Sequence, residues 1–281
     1  METNKKALII EGGGNRGVFS FGVIDSFIKS SFDPYDMYLG VSNGSVVLLW
    51  YLLRETNNNI DKMLIAASKE YINYKNIFSN KDIFNYRKLF QDAEIRYPIS
   101  FKKLSKNLGN KKFYMVTTDA STGQPEYLEP IEGKLIEQLL SSGTLPLLVR
   151  TPSIIDDRRK FDGGISDPIP VKKAYEMGAK KITIIRTYEE GFIRKNKLEN
   201  YIGAFYIRQF KETSGLLKNL AETYNRSLDF INNPPIDCEI NQICPPNRLI
   251  TKRDTIKKKI LLSDYELGKK VGEEFLKKHK F

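Results

Sequence analysis

The chain has 281 residues, 41% hydrophobic and 28% charged, with a net charge of +11, and reads as a globular, soluble protein. Two cysteines are too few for a disulfide scaffold. The longest apolar run, residues 46–53, falls far short of the roughly 20 residues of a membrane-spanning helix, and the apolar run at 7–10 is too short for a signal-peptide core.

Residues 7–10 predict a buried strand. The strand runs into Gly12-Gly13-Gly14-Asn15-Arg16-Gly17. Residues 18–24, with Phe27 and Ile28, are apolar on nearly every side and predict a buried helix. Residues 37–39 predict a second strand, followed by Gly40-Val41-Ser42-Asn43-Gly44 and by a second buried helix over 46–53. Two such units in succession set two helix N-termini side by side at one end of a sheet.

The second turn fits G-x-S-x-G. A serine on a sharp strand-to-helix turn is pushed clear of the sheet, and the small flanking residues Gly40 and Gly44 let the turn close. Its hydroxyl then sits at a helix N-terminus, where backbone N–H groups favour negative charge. The alternative is a tight turn with a capping serine. In the first turn, consecutive glycines leave N–H groups uncovered and able to converge on one oxygen, as an oxyanion hole requires. Gly12, Gly14 and Gly17 also satisfy G-x-G-x-x-G, the turn of a nucleotide-binding oxidoreductase. That site wants an acidic residue at the end of the second strand. Asp33 and Asp36 precede that strand, which ends in the serine turn instead.

Residues 60–74 predict a helix with Met63, Leu64, Ala67 and Tyr71 on one face. Residues 73–110 are irregular and rich in aromatics, including Tyr74, Phe78, Phe84, Tyr86, Phe90, Tyr97 and Phe101. They read either as the cap of an apolar substrate channel or as ordinary packing. Strands are predicted at 113–119 and 126–128, and a helical stripe of Ile131, Leu135, Ile136, Leu139 and Leu140 ends near Gly143. Residues 153–155 lead into a hairpin-like 156–159 and then Asp162-Gly163-Gly164. Further on, 168–177 predict a helix stopped by Gly178, 181–186 a strand, 201–210 and 216–230 helices, and 236–244 a last strand. Ser263-Asp264-Tyr265-Glu266 reads as a capping box opening a final helix with Leu267, Val271 and Phe275 inward. Cys238 and Cys244 match no zinc spacing and read as unpaired thiols in a reducing, cytoplasmic compartment, with a bridge between them as the alternative.

If Ser42 is a nucleophile, it needs a base. The single histidine, His279, lies in the basic terminus Lys277-Lys278-His279-Lys280-Phe281 and is a poor triad member. A carboxylate buried in an apolar cleft has its pKa raised by desolvation and becomes a better base near neutral pH. Asp162 is preferred over Asp119 and Asp167 for the open space its glycines provide.

Gly-Gly-Gly-x-Arg-Gly after the first strand, Gly-x-Ser-x-Gly after the second and Asp-Gly-Gly downstream together resemble the patatin-like phospholipase family. Ser141-Ser142-Gly143-Thr144-Leu145-Pro146 resembles the family's segment before the aspartate. The resemblance covers about residues 6–190. It implies a three-layer α/β/α fold with a mostly parallel central sheet, a serine–aspartate dyad and hydrolysis of acyl esters in lipids, without metal or cofactor. Carried over, Ser42 is the nucleophile and Asp162 the base. Gly13, Gly14 and Arg16 are assigned to the oxyanion hole, with Gly13 and Gly14 as the main donors and Arg16 as the family's loop arginine. Gly12, Gly17, Gly40, Gly44, Gly163 and Gly164 support these motifs. Asn43 and Ser45 stand where alanine is common in the family. The expected organisation is a single domain over 1–281, with an extension from about 191 behind the motif-bearing core.

The expected partner is a lipid or acyl-ester substrate. A non-catalytic lipid- or partner-binding protein of the same fold is the competing class. From residue 248 onward 11 lysines and arginines face 5 acids, which fits peripheral contact with an anionic membrane or a plain solvated face. No nucleic-acid module is visible, so no nucleic-acid partner is expected. Nothing in the sequence sets an oligomeric state.

Overall fold

The computed structural model describes residues 4–55, 59–73, 75–76, 81–146, 148–149 and 151–279. Strand β1 (Lys5–Ile10) passes through a 3-10 turn (Gly14–Arg16) into α1 (Gly17–Lys29), and β2 (Met37–Val41) passes into α2 (Asn43–Leu52). Helices α3 (Asn59–Ala66), α4 (Tyr86–Arg96) and α5 (Phe101–Leu108) precede β3 (Lys112–Asp119), β4 (Pro125–Leu128) and α6 (Leu135–Gly143). A hairpin of β5 (Ser153–Ile155) and β6 (Arg158–Asp162) leads to α7 (Val171–Glu176) and β7 (Ala179–Ile185). The chain closes with α8 (Leu198–Tyr206), α9 (Lys211–Lys218), α10 (Leu220–Asn232), β8 (Glu239–Ile243) and α11 (Lys258–Lys278).

One sheet runs β5-β6-β3-β2-β1-β7-β8, with β4 beside β3. Strands β3, β2, β1, β7 and β8 are parallel, while β4, β6 and β5 are antiparallel additions. The apolar run of β1 is continuous because both of its faces are covered. Leu8 and Ile10 enter a core shared with α1, α2 and α11, whereas Ala7 and Ile9 enter a second core shared with α7 and α10. This is the expected mostly parallel sheet between helical layers. Among the described residues no helix is long and apolar enough to cross a membrane. Cys238 and Cys244 are unpaired.

Helix α11 lies along α1 through an interface made of glycines. A side chain at Gly268 would collide with the carbonyl oxygen of Phe19, and one at Gly22 with that of Tyr265. Small residues at these crossing points let the two backbones approach, so the end of the chain packs directly on the helix that follows the glycine loop.

Several boundaries differ from the sequence expectation. The helix predicted over 60–74 ends at Ala66, and the chain turns through Ser68, whose side chain accepts from the Glu70 N–H. Tyr74 and Phe78 lie outside the described residues. The segment read as irregular holds α4 and α5, capped by Asn85 and Ser100. Ser263 opens no helix: α11 starts at Lys258 because Ile260 and the fully buried Leu261 extend its apolar stripe backwards. Leu267, Val271 and Phe275 do face the core.

Candidate active site

Ser42 follows β2 with φ 55° and ψ −128°, a left-handed conformation that a residue with a Cβ adopts only under constraint. The constraint is packing on both sides. A Cβ at Gly40 would strike Ser45, and one at Gly44 would strike the Ile10 carbonyl at the end of β1. The Ser42 N–H donates to Ser142 Oγ at 2.9 Å, and that hydroxyl donates to the Val116 carbonyl at 2.8 Å. Ser142, at the end of α6, thus pins the elbow to β3.

Strand register delivers the carboxylate. Val41 pairs with Val116, and the next residue of β3, Thr117, pairs with Asp162 on β6. At Gly163 the chain passes so close to the Val116 carbonyl that no side chain fits there. Asp162 is thereby set beside Ser42, 5% exposed. The Gly164 N–H donates to Asp162 Oδ1 at 2.7 Å. Burial pushes the Asp162 pKa up to about 6, against the opposing pull of the Gly164 N–H, the Ser42 hydroxyl, and the positive charges of Arg253 and Arg194. Tyr86, which also lines the cavity, has its pKa raised by burial and by the nearby Asp162 charge.

The other carboxylates considered from sequence are occupied elsewhere. Asp119 is bound by Thr122, Lys160 and Arg158. Asp167 accepts from the Tyr127 hydroxyl at 2.6 Å. Neither lines the cavity on which Ser42 opens. His279 stacks on Phe275 at 4.1 Å, its Nδ1 3.0 Å from the Phe275 carbonyl, and is not in that cavity either.

The glycine loop flanks Ser42 on the side of β1. A Cβ at Gly12 would lie 2.8 Å from the Ser42 Cβ. Among the described residues, the N–H groups of Gly12, Gly13 and Gly14 donate to no protein acceptor, whereas those of Glu11, Asn15 and Arg16 bond to Ile185, Arg253 and Gly13 carbonyls. Free N–H groups at a cavity wall are open to an anionic oxygen. The loop is braced from below. Asn43 Nδ2 donates to the Gly14 carbonyl at 2.9 Å, and the Thr187 hydroxyl lies 3.2 Å from the Gly12 carbonyl. Buried Glu11 accepts from the Thr187 N–H and the Tyr224 hydroxyl, each at 2.7 Å. Arg16 is directed at Thr187 and stacks over the Tyr188 ring at 4.2 Å, and burial lowers its pKa.

The cavity measures about 800 Å³. Its lining includes the apolar and aromatic side chains Trp50, Met63, Phe84, Leu89, Phe90 and Tyr97, with Lys62 set over the Trp50 ring, and the cations Arg194, Lys252 and Arg253. Sequence reasoning missed Glu11, Thr187, Tyr224 and Arg253, which reach the site by tertiary packing and carry no local motif. In the sequence Tyr86 stands only as one aromatic among several.

The patatin-like phospholipase family model matches residues 8–175, and a model for a domain of unknown function, DUF6363, matches residues 211–280. The chain is 27% identical over 276 residues to the uncharacterized protein YjjU of Escherichia coli strain K12, covering 96% of this chain and 76% of that one. VipD from Legionella pneumophila aligns over 98% of this chain and 67% of its own, at a TM-score of 0.47 and 13% identity. The family match spans more than half of the sequence and takes in the glycine loop, the serine elbow and the aspartate turn. On that match the chain belongs to the patatin-like phospholipase family, whose members are lipid acyl hydrolases.

Proposed function

We propose that the protein hydrolyses a carboxylic ester of an amphiphilic lipid, with Ser42 as nucleophile and Asp162 as base. The observation that carries this reading is a serine in strained backbone geometry beside one buried carboxylate whose pKa is lifted to about 6. Such a base is mostly ionised at neutral pH yet basic enough to accept a proton. Asp162 takes the Ser42 proton as Oγ adds to the ester carbonyl carbon. The carbonyl electron pair moves onto oxygen, where the N–H groups of Gly13 and Gly14 stabilise it. As the carbon–oxygen bond breaks, the proton on Asp162 passes to the departing alcohol or lysolipid. Water then gives a proton to Asp162 as it adds to the acyl-serine, and when the carbon–Oγ bond breaks that proton passes from Asp162 to Ser42 Oγ, releasing the fatty acid and restoring both residues. Arg16 serves by holding the loop against Thr187 and Tyr188.

The cavity's lining, which joins a set of apolar and aromatic side chains to Arg194 and Arg253, supports an amphiphile as substrate. The test is release of product from a short-chain nitrophenyl ester and of fatty acid from a lysophospholipid. Ser42→Ala should lower kcat by at least about a thousandfold with an unchanged circular dichroism spectrum. Near wild-type turnover in that variant would remove Ser42 from the chemistry. Lipid binding without any hydrolysis would make the protein a lipid-binding member of the fold.

A further inference from the structure

Helix α8 carries an unpartnered apolar stripe. Leu198, Tyr201, Ile202 and Phe205 are 74%, 49%, 39% and 61% exposed. Their spacing of three and four residues places them on one face. The opposite face, with Asn200, Gly203 and Ala204, is buried against the protein. The stripe is not isolated. Ile193, just before α8, and Ile250, in the segment before α11, are also mostly exposed. Helix α8 and the segment before α11 are tied together by the Arg253–Glu199 ion pair at 3.6 Å, and residues from both line the cavity, as does the exposed Ile193, which puts the cavity's rim beside the stripe.

Cations flank the stripe. Arg194, Lys195 and Lys197 precede α8, and Arg208 and Lys211 follow its last turn. We infer that α8 and the cavity rim beside it are the surface by which this protein docks on an anionic lipid bilayer, apolar side chains inserted and basic groups at the headgroup plane.

Three observations favour a bilayer over a protein as the occupant. The stripe adjoins the mouth of the cavity, and a protein seated there would close the route by which a lipid chain enters. From 194 to 212 five cations stand against two acids, Glu199, which pairs with Arg253, and Glu212, and a basic excess is what an anionic headgroup layer requires. Apolar and aromatic side chains on one face of a surface helix, bordered by lysine and arginine, are the composition of an interfacial helix. The basic end of α11 is thus not the main anchor, and binding should retain an apolar component that salt does not remove. The placement at the cavity mouth rests on the reading above, but binding itself is measured without turnover.

The test is flotation of the full chain with vesicles of phosphatidylcholine alone or mixed with phosphatidylglycerol, at low and high salt, for wild type and Leu198→Ser/Phe205→Ser. Each large apolar side chain withdrawn from water is worth about tenfold or more in partitioning. Wild type should bind the mixed vesicles and keep part of that binding at high salt. The double variant should lose binding by at least about tenfold while melting like wild type and hydrolysing the soluble nitrophenyl ester at the wild-type rate. No binding by wild type, or equal binding by the variant, overturns the inference. A wild-type dimer that the double substitution converts to monomer also overturns it, because the stripe then belongs to a second copy. Absence of ester hydrolysis in wild type defeats the enzymatic reading and leaves the docking result standing.

Discussion

At the scale of single residues, the site depends on a carboxylate held where charge is costly. Asp162 titrates near 6 in the folded protein against an ordinary value of 3.8, with burial as the largest cause. Because the folded-state pKa is raised, the protonated form is the one folding favours. That contribution is fully present below about pH 4 and is lost as pH rises through about 6. Above that point the ionised group costs on the order of 3 kcal/mol. Asp162→Asn removes this cost along with the base. Its stability relative to wild type should therefore climb between pH 4 and pH 7, read by denaturant melts at each pH. Its kcat should fall by roughly 10²–10⁴-fold. Wild-type kcat should itself decline as pH drops through about 6, where Asp162 binds its proton. A flat stability difference across that range would mean that Asp162 is not a desolvated carboxylate.

At the scale of elements, the two strand–turn–helix units were legible because apolar runs of buried elements are bounded by glycines, with little else to confuse the pattern. Helices α4 and α5 were not. Leu89 is the one buried residue of α4; α5 does carry Phe101, Leu104 and Leu108 at helical spacing, but in a short helix within an aromatic-rich segment whose residues read equally as channel or packing. The start of α11 was misplaced because Ser263-Asp264-Tyr265-Glu266 has the form of a cap, whereas buried Leu261 draws the helix back by more than a turn. Ser42 and Asp162 were legible as motifs, but the register that makes them neighbours, through Val116 and Thr117, is set by the sheet and written in neither motif. The contact between α1 and α11 gives an element-scale test. A methyl group at Gly268 has no room before the Phe19 carbonyl, so Gly268→Ala should destabilise the fold by about 1–3 kcal/mol. The same change at Gly215, where a Cβ meets nothing, should not destabilise it. Equal denaturation midpoints for all three proteins would show that the helices can separate at no cost.

At the scale of the whole molecule, the C-terminal region packs on the same sheet and helices that carry the candidate site. Strand β8 extends the sheet beyond β7, α11 covers α1, and the Arg253 carbonyl takes the Asn15 N–H at 2.9 Å on the glycine loop itself. Although separate family models match residues 8–175 and 211–280, we propose that the two regions form one cooperative unit. Calorimetry should show a single unfolding transition whose calorimetric and van't Hoff enthalpies agree. Two resolved transitions would separate the regions thermodynamically.

The central proposal is that Ser42 is activated by Asp162. It is tested most directly by labelling with a fluorophosphonate and locating the adduct by peptide mass spectrometry. Wild type and His279→Ala should both carry the adduct on Ser42, while Asp162→Asn should label far more slowly at neutral pH. No adduct on Ser42 in wild type, or labelling that survives Asp162→Asn but is lost in His279→Ala, would contradict it.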